Sequence, residues 1–203
     1  MTNVLIAGVG GQGALFAGRV LGRAAIQAGC DVKISEVHGM SQRGGSVETV
    51  VRFDREKVHS PLIDKGGADF ILALELLEAY RSIGYLKNGG WLIASTQRID
   101  PMPVITGVAS YPADIVEKLT KTGARVKALD ALSLAIESGG AKMANVVLIG
   151  VLAGALAGDL AIAKEDWLTA LRQAVPEKLL AMNLKAFELG HNWRENLGEI
   201  QTI

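Results

Sequence analysis

The chain has 203 residues, of which 49% are hydrophobic, enough to fill a sizeable core. Basic and acidic residues number 21 each, so no global positive charge attracts nucleic acid or an anionic membrane surface, and a local patch of charge is what remains open. A single cysteine, Cys30, excludes an internal disulfide and cannot supply the four thiolates of an iron–sulfur cluster. We therefore expect one domain over residues 1–203, with its core over about 3–190, and no nucleic-acid or membrane partner.

The sequence also argues against a metal site and against export. The three histidines lie far apart and do not show the Cys/His spacing of a metal site. The N-terminus enters a predicted strand without the basic and apolar segments of a signal peptide, which predicts a cytoplasmic location. The most apolar run, residues 143–156, is too short to cross a bilayer and is predicted to be a buried helix.

The first predicted elements form a strand–helix–strand unit. A strand over 3–8 leads through a glycine-rich turn into a helix over 12–28, which Gly29 ends, and a second strand follows over 31–36. Such a crossover is expected to be right-handed. No helix fits between this second strand and the next, 46–53, so we expect the third strand to run antiparallel or to be reached by an unusual loop.

The rest of the chain continues the alternation and then becomes helical. The predicted elements are strands at 68–75, 90–96 and 124–130, and helices at 76–86, 112–123, 141–157, about 164–174 and about 177–189. Asp130 is expected to cap the helix that follows it, Pro176 to start the last helix and Gly190 to end it. The segment "DPMP" at 100–103 is expected to break any regular element.

This order of elements predicts a three-layer α/β/α domain around a Rossmann-like, mixed and mostly parallel sheet, with a helical C-terminal third. Ligands and partners of such sheets approach the carboxyl ends of the strands. The glycine turn after the first strand, Glu36 with the loop that follows it, and the end of the strand at 68–75 belong to that edge. We expect the functional surface there.

The turn "GVGGQG", from Gly8 to Gly13, fits the dinucleotide pattern G-x-G-x-x-G, and Glu36 follows 23 residues later, where an acidic partner of a ribose belongs. Glycines let such a turn approach a pyrophosphate, which the free N–H groups at the helix start then face. A strand-to-helix turn also favours glycine for packing alone, as Gly18 and Gly22 in the same helix suggest. Glu36 could equally accept backbone N–H groups from the loop beside it, so both interpretations stay open.

The segment after Glu36 is polar and rich in glycine. A dinucleotide-binding fold would instead continue at this point into a helix and a third parallel strand. Five stretches together, "VLIAGVGGQG", "SEVHGMSQRGGSV", "VHSPLI", "ADFILALE" and "KMANVVLIGVLAG", resemble the gamma subunit, or gamma domain, of 2-oxoacid:ferredoxin oxidoreductases. Within that family the chain is most similar to the small beta subunit of the indolepyruvate type. The resemblance spans nearly the whole chain, from Val4 to Trp193.

The resemblance implies a division of labour between subunits. Enzymes of this family use thiamine diphosphate, Mg²⁺ and iron–sulfur clusters to decarboxylate a 2-oxoacid oxidatively to an acyl-CoA, and they pass the electrons to ferredoxin. The sequence agrees with cofactors that sit on other subunits, because it lacks cluster cysteines and because Gly158-Asp159 is followed by leucine rather than by the "GDG…N" signature of thiamine diphosphate binding. An accessory subunit without a catalytic residue, a cofactor or a metal of its own is therefore implied, with CoA as cosubstrate of the complex.

Two sets of candidate residues follow. Binding of a phosphate or of CoA is assigned to the glycine turn and the acid after it: Gly8, Gly10, Gly11, Gln12, Gly13 and Glu36. Contact with the thiamine-diphosphate-binding and cluster-bearing subunits is assigned to the loop that follows: His38, Gly39, Met40, Ser41, Gln42, Arg43, Gly44 and Gly45. The alternatives are a stand-alone NAD(P)-binding oxidoreductase for the first set and an ordinary surface loop for the second. A homodimer is also open, and Asn145 is expected to bond buried backbone near the sheet.

Overall fold

The computed structural model describes residues 1–39, 44–155, 158 and 162–194. Within these residues strands and helices alternate in the predicted order. The strands are β1 (Thr2–Val9), β2 (Asp31–His38), β3 (Ser46–Asp54), β4 (Ala68–Ala73), β5 (Leu86–Ser95) and β6 (Arg125–Leu129). The α-helices are α1 (Ala14–Gln27), α2 (Leu76–Ser82), α3 (Met102–Ile105), α4 (Ile115–Thr120), α5 (Ala131–Ser138), α6 (Ala144–Ala155), α7 (Lys164–Ala174) and α8 (Glu177–His191).

The six strands form one mixed sheet in the order β2-β3-β1-β4-β5-β6. Strands β1, β4, β5 and β6 run parallel, while β3 runs antiparallel to both β1 and β2, which is the first of the two alternatives expected for the third strand. Too few residues separate His38 from Ser46 for a crossover helix, so the chain turns back beside β2. Strand β3 therefore lies between β1 and β2, which the helix α1 connects.

Helices cover both faces of the sheet because successive residues of a strand point to opposite sides. Ile6 of β1 packs in one core with residues of α1, α5, α6, α7 and α8, and its neighbour Leu5 packs in a second core with residues of α2 and α4. The largest buried side chains of the first core are Trp167 and Phe187. The predicted three-layer α/β/α architecture is thus confirmed.

Helices α6 and α8 touch backbone to backbone at glycines. A Cβ atom placed on Gly190 would lie 1.9 Å from the carbonyl oxygen of Val147, and one on Gly150 would lie 2.2 Å from that of Phe187. Gly190 lies inside α8, which continues to His191, so the prediction that this glycine ends the helix was wrong. Gly190 allows α6 to approach α8 closely, and it does not end α8.

Further boundaries differ from the predictions, and several agree. Helix α2 ends at Ser82 rather than at residue 86, and β5 begins at Leu86 rather than at residue 90. The helix α3 begins inside the "DPMP" segment, because proline is tolerated in a first helical turn. The helix expected over 112–123 is shorter and begins after Asp114, which adopts a left-handed φ of 55°. Asp130 caps α5 as predicted, with its Oδ1 atom 2.9 Å from the N–H nitrogen of Ser133. In the described part of the chain, no helix combines the length and apolarity needed to cross a membrane.

Candidate functional site

The turn after β1 is fastened to the sheet by the side chain of Gln12. Its Oε1 atom accepts a hydrogen bond from the N–H of Val9 at 2.8 Å. Its Nε2 group donates to the carbonyl of Leu74 at 3.0 Å and to Oε1 of Gln97 at 3.2 Å. The polar atoms of Gln12 are therefore engaged by the ends of neighbouring strands, and this side chain shapes the turn rather than facing outward.

Asn145 supports the same turn from the start of α6. Its buried amide donates to the carbonyls of Gln12 and Gly13 at 3.2 and 3.3 Å, which confirms the sequence-based prediction for this residue. Gly11 and Gly13 have φ values of 106° and 82°, in the region that favours glycine. A Cβ atom on Gly13 would lie 2.5 Å from the Asn145 Nδ2 atom. Glycine is therefore required here by both backbone conformation and close approach.

The start of α1 exposes backbone N–H groups to this turn. Gly13 occupies the capping position, where no side chain of the described residues bonds the helix start, and the first turn contains no acidic residue. The unpaired N–H groups and the positive end of the helix dipole favour an anion at this point. The arrangement suits a phosphate group better than a cation.

A cleft of about 330 Å³ opens in front of this helix start. It is lined by Val9, Gly10, Gly11, Gly13, Ala14, Leu15, Glu36, His38 and Val47. The cleft thus brings together Glu36 and three glycines of the turn, which the sequence assigns to one binding site. Gly8 and Gln12, from the same predicted set, lie outside its lining, because Gly8 faces Leu74 and Gln12 is turned toward the sheet.

Backbone hydrogen bonds connect the two glycine-containing motifs. The N–H of Gly10 donates to the carbonyl of Gly45 at 2.8 Å, and the N–H of Gly44 donates to the carbonyl of Gly10 at 3.4 Å. His38 and Gly39 are exposed at the other end of this loop. Residues 40–43, which complete the predicted contact loop, lie outside the described residues. The cleft and the ends of the contact loop therefore form one continuous surface.

The two sides of the cleft differ in hydrogen-bonding character. The helix start and the turn offer backbone N–H donors, whereas the exposed carboxylate of Glu36 on β2 is an acceptor. A carboxylate repels a phosphate but accepts hydrogen bonds from hydroxyl groups. The cleft therefore matches a ligand that carries both a phosphate and free hydroxyls.

Comparison with known proteins identifies the family. Residues 3–193 match the model of the family described as pyruvate ferredoxin/flavodoxin oxidoreductase. The chain belongs to this family. Indolepyruvate oxidoreductase subunit IorB of Thermococcus kodakarensis is 44% identical over 191 residues, which are 93% of each chain. The subunit of the same name from Archaeoglobus fulgidus is 40% identical over 192 residues, 94% of each chain.

Solved structures share the fold of this pyruvate ferredoxin/flavodoxin oxidoreductase family member. The gamma subunit of a keto/oxoacid ferredoxin oxidoreductase from Geobacter sulfurreducens superimposes with a TM-score of 0.69 at 24% identity, covering 94% of this chain and 96% of that one. A 2-oxoglutarate:ferredoxin oxidoreductase from Magnetococcus marinus superimposes with a TM-score of 0.72 at 21% identity, and this chain covers 30% of that longer one. The resemblance identified from the sequence motifs is confirmed.

The described side chains of this family member do not form a metal-binding cluster. Among the described residues, no three His, Cys, Asp or Glu side chains are grouped so that they could hold a metal ion. Burial raises the pKa of the Cys30 thiol, which disfavours the thiolate that a metal cluster requires. The described residues therefore provide no set of three such ligands for a metal ion.

Sequence reasoning missed a buried carboxylate at the same sheet edge. Glu75, at the end of β4, accepts hydrogen bonds from the N–H groups of Glu78 and Ile99 at 2.9 and 3.0 Å and from the hydroxyl of Tyr111 at 2.7 Å. Burial raises the pKa of Tyr111, and the bond to Glu75 raises it further. An acid directly before a predicted helix is a signal for a cap at Glu78, but the partner Tyr111 is 36 residues away and gives no local signal.

Replacing Asn145 with alanine is expected to destabilise this family member by about 1–3 kcal/mol. The substitution removes the amide group that donates to the carbonyls of Gln12 and Gly13. The Gly13 carbonyl keeps its bond from the N–H of Ala17, whereas the partly buried Gln12 carbonyl loses this donor. Urea denaturation measures the change, with the exposed Asn88→Ala as a matched control. Equal midpoints for the two variants would contradict a supporting role for Asn145 in the glycine turn.

Proposed function

We propose that the chain is the gamma-type subunit of a 2-oxoacid:ferredoxin oxidoreductase. The complex would convert a 2-oxoacid, with indolepyruvate or another arylpyruvate as the leading class, and CoA to acyl-CoA and CO₂, with the electrons passed to ferredoxin. The observation that carries this proposal is the 44% identity to an indolepyruvate oxidoreductase subunit over 93% of both chains. The chain acts as one domain over residues 1–203 and works in the cytoplasm.

In this proposal the redox chemistry belongs to companion subunits. Thiamine diphosphate, Mg²⁺ and the iron–sulfur clusters are assigned to those subunits, since the described side chains of this chain do not form a metal-binding cluster. The present chain supplies binding surface and no catalytic residue, so it is inactive alone. A stand-alone NAD(P)-linked oxidoreductase is not favoured, because the relatives named above are subunits of oxidoreductases that act on 2-oxoacids.

The cleft is assigned to CoA, the cosubstrate of the complex. A CoA phosphate would accept hydrogen bonds from the N–H groups at the start of α1, and Glu36 would accept one from a hydroxyl or amide N–H group of the pantetheine arm. Contact with the companion subunits is assigned to the loop from His38 to Gly45. Since Gly10 and Gly45 are hydrogen-bonded, docking of that loop would order the glycine turn as well. A homodimer of the isolated chain is a separate proposal, which its mass in solution tests.

The substitution Gly11→Asp tests the assignment of CoA. The added carboxylate would stand at the helix start and repel a phosphate, so the KM for CoA of the assembled complex is expected to rise about tenfold or more, with assembly unchanged. Gly29→Asp is the matched control, because both glycines have a positive φ and neither has an atom within 4 Å of an added Cβ. Gly29 does not line the cleft.

The outcomes separate the two parts of the proposal. Equal KM values for both variants would remove CoA from the cleft and leave the role as a subunit intact. Oxidation of a 2-oxoacid by the isolated chain, or failure to co-purify with the thiamine-diphosphate-binding and cluster-bearing chains, would reject the subunit role itself.

A further inference from the structure

On the α2 side of the sheet, strands β2 and β3 carry an exposed patch that the neighbouring loop does not cover. We call this patch, formed by Val37, Ser46 and Glu48, the shelf. The hydroxyl of Ser35 donates to the carbonyl of Pro61, and Arg52 donates to the carbonyls of Ser60 and Leu62, so this loop lies over the nearer part of both strands. The next pair in register, Val37 and Glu48, lies beyond it. Val37 is 59% exposed, and Leu62 in the neighbouring loop is 66% exposed.

The shelf contains a half-buried carboxylate without a partner. The side chain of Glu48 makes no hydrogen bond or ion pair with any residue that the structure describes, although it is partly buried on β3. The nearby Glu78 is already paired, because it accepts hydrogen bonds from Ser46 and from the Arg81 guanidinium, the latter at 2.6 Å. Burial raises the pKa of Glu48, and the charge of Glu78 raises it further. At neutral pH the ionised Glu48 therefore opposes folding of the isolated chain.

The surroundings of Glu48 distinguish the kinds of partner that fit. A metal ion needs more ligands than this one free carboxylate, and nucleic acid would be repelled by it. A cationic side chain is complementary, and the exposed apolar side chain of Val37, opposite Glu48 in register, would exclude water from the resulting pair. Ser46 also follows the contact loop directly, so the shelf continues the surface assigned above to a companion subunit.

We propose that this shelf, formed by Val37, Ser46 and Glu48, receives a lysine or arginine side chain of the companion subunit. The inference rests on the proposed function, because it takes the partner from it. It adds the place and the chemistry of one contact: a carboxylate that pairs with none of the described residues becomes the buried half of an intersubunit ion pair. The free chain accepts a cost in stability that the assembled complex recovers.

Glu48→Gln tests the inference through two opposite readouts. The affinity for the separately purified companion subunit is expected to fall about tenfold or more, measured by titration calorimetry. The melting temperature of the free chain is expected to stay equal or to rise, because the substitution removes a charge that opposes folding. If Glu48 had a purely structural role, the substitution would instead lower the melting temperature. Glu56→Gln, on an exposed residue of the loop after β3, is the matched control.

Chemical cross-linking provides a second measurement of the same contact. A zero-length carbodiimide cross-link between Glu48 and a companion lysine, located by mass spectrometry, would support the contact directly. If the companion binds the wild-type chain and Glu48→Gln within about twofold of each other, the inference is overturned and the proposed function stands. If the companion does not bind the wild-type chain, the proposed function fails and the inference fails with it.

Discussion

Gly190→Ala is expected to destabilise the protein by about 3 kcal/mol or more, the upper range for overpacking a core. The alanine methyl would stand 1.9 Å from the carbonyl oxygen of Val147, and a backbone atom cannot move aside by changing a rotamer. Relief therefore requires α6 and α8 to move apart. That movement would loosen the buried Phe187, which packs beside the same contact. Urea denaturation followed by circular dichroism measures the loss.

Gly84→Ala is the matched control for this experiment. Gly84 lies in a short helical turn, has no atom within 4 Å of an added Cβ and does not have a positive φ. Its substitution is expected to change stability by about 0.5 kcal/mol or less. If both variants unfold at the same urea concentration, the close contact between α6 and α8 does not exist in solution.

Glu75→Ala is expected to cost about 3 kcal/mol. The fully buried carboxylate accepts three hydrogen bonds, so its removal leaves two backbone N–H groups and the hydroxyl of Tyr111 without their acceptor. Helix α2 loses its cap at the same time, and the segment from Ile99 to Tyr111 loses the bonds that hold both its ends. The free energy of unfolding from urea titration measures the effect, with the exposed Glu56→Ala as control.

Tyr111→Phe separates one of these bonds from the others. It is expected to cost about 1 kcal/mol at neutral pH, because it removes one hydrogen bond and keeps the ring. Since the pKa of Tyr111 is raised in the folded protein, its contribution to stability is complete below about pH 10 and is lost as the pH rises further. The variant should therefore lose less stability than the wild type in alkaline solution. Identical alkaline unfolding curves would contradict the bond between Tyr111 and Glu75.

The layers and strand directions follow from local signals in the sequence. Alternating apolar strands and helices predict the sheet, and the short polar loop before Ser46 leaves two alternatives for β3, an antiparallel strand or one reached by an unusual loop. The structure has the first of these. The role of Gly190 does not follow, because a glycine near a helix end has the same local pattern whether it ends the helix or lets another helix approach. The deciding contact is with Val147, which lies 43 residues earlier in the chain.

In the candidate site, too, some features follow from local signals in the sequence and others depend on distant residues. The rule that carboxyl strand ends meet at one edge brings Glu36 to the glycine turn, and the structure places both along one cleft. The inward direction of Gln12 could not be predicted, because it depends on Leu74 and Gln97, which the fold brings from 62 and 85 residues away. Glu75 was missed for the same reason: its partners Ile99 and Tyr111 come from a segment with no regular pattern.

The insertion of β3 limits which cofactors this sheet edge accepts. When the acid-bearing strand lies directly beside β1, about 4.8 Å separates the two strands. Here the strand with Glu36 lies two spacings from β1, about 10 Å. A dinucleotide with its pyrophosphate on the glycine turn would leave its adenosine ribose one strand's width short of the carboxylate. One added strand thus increases the distance between the glycine turn and Glu36, although the sequence of the glycine motif is unchanged.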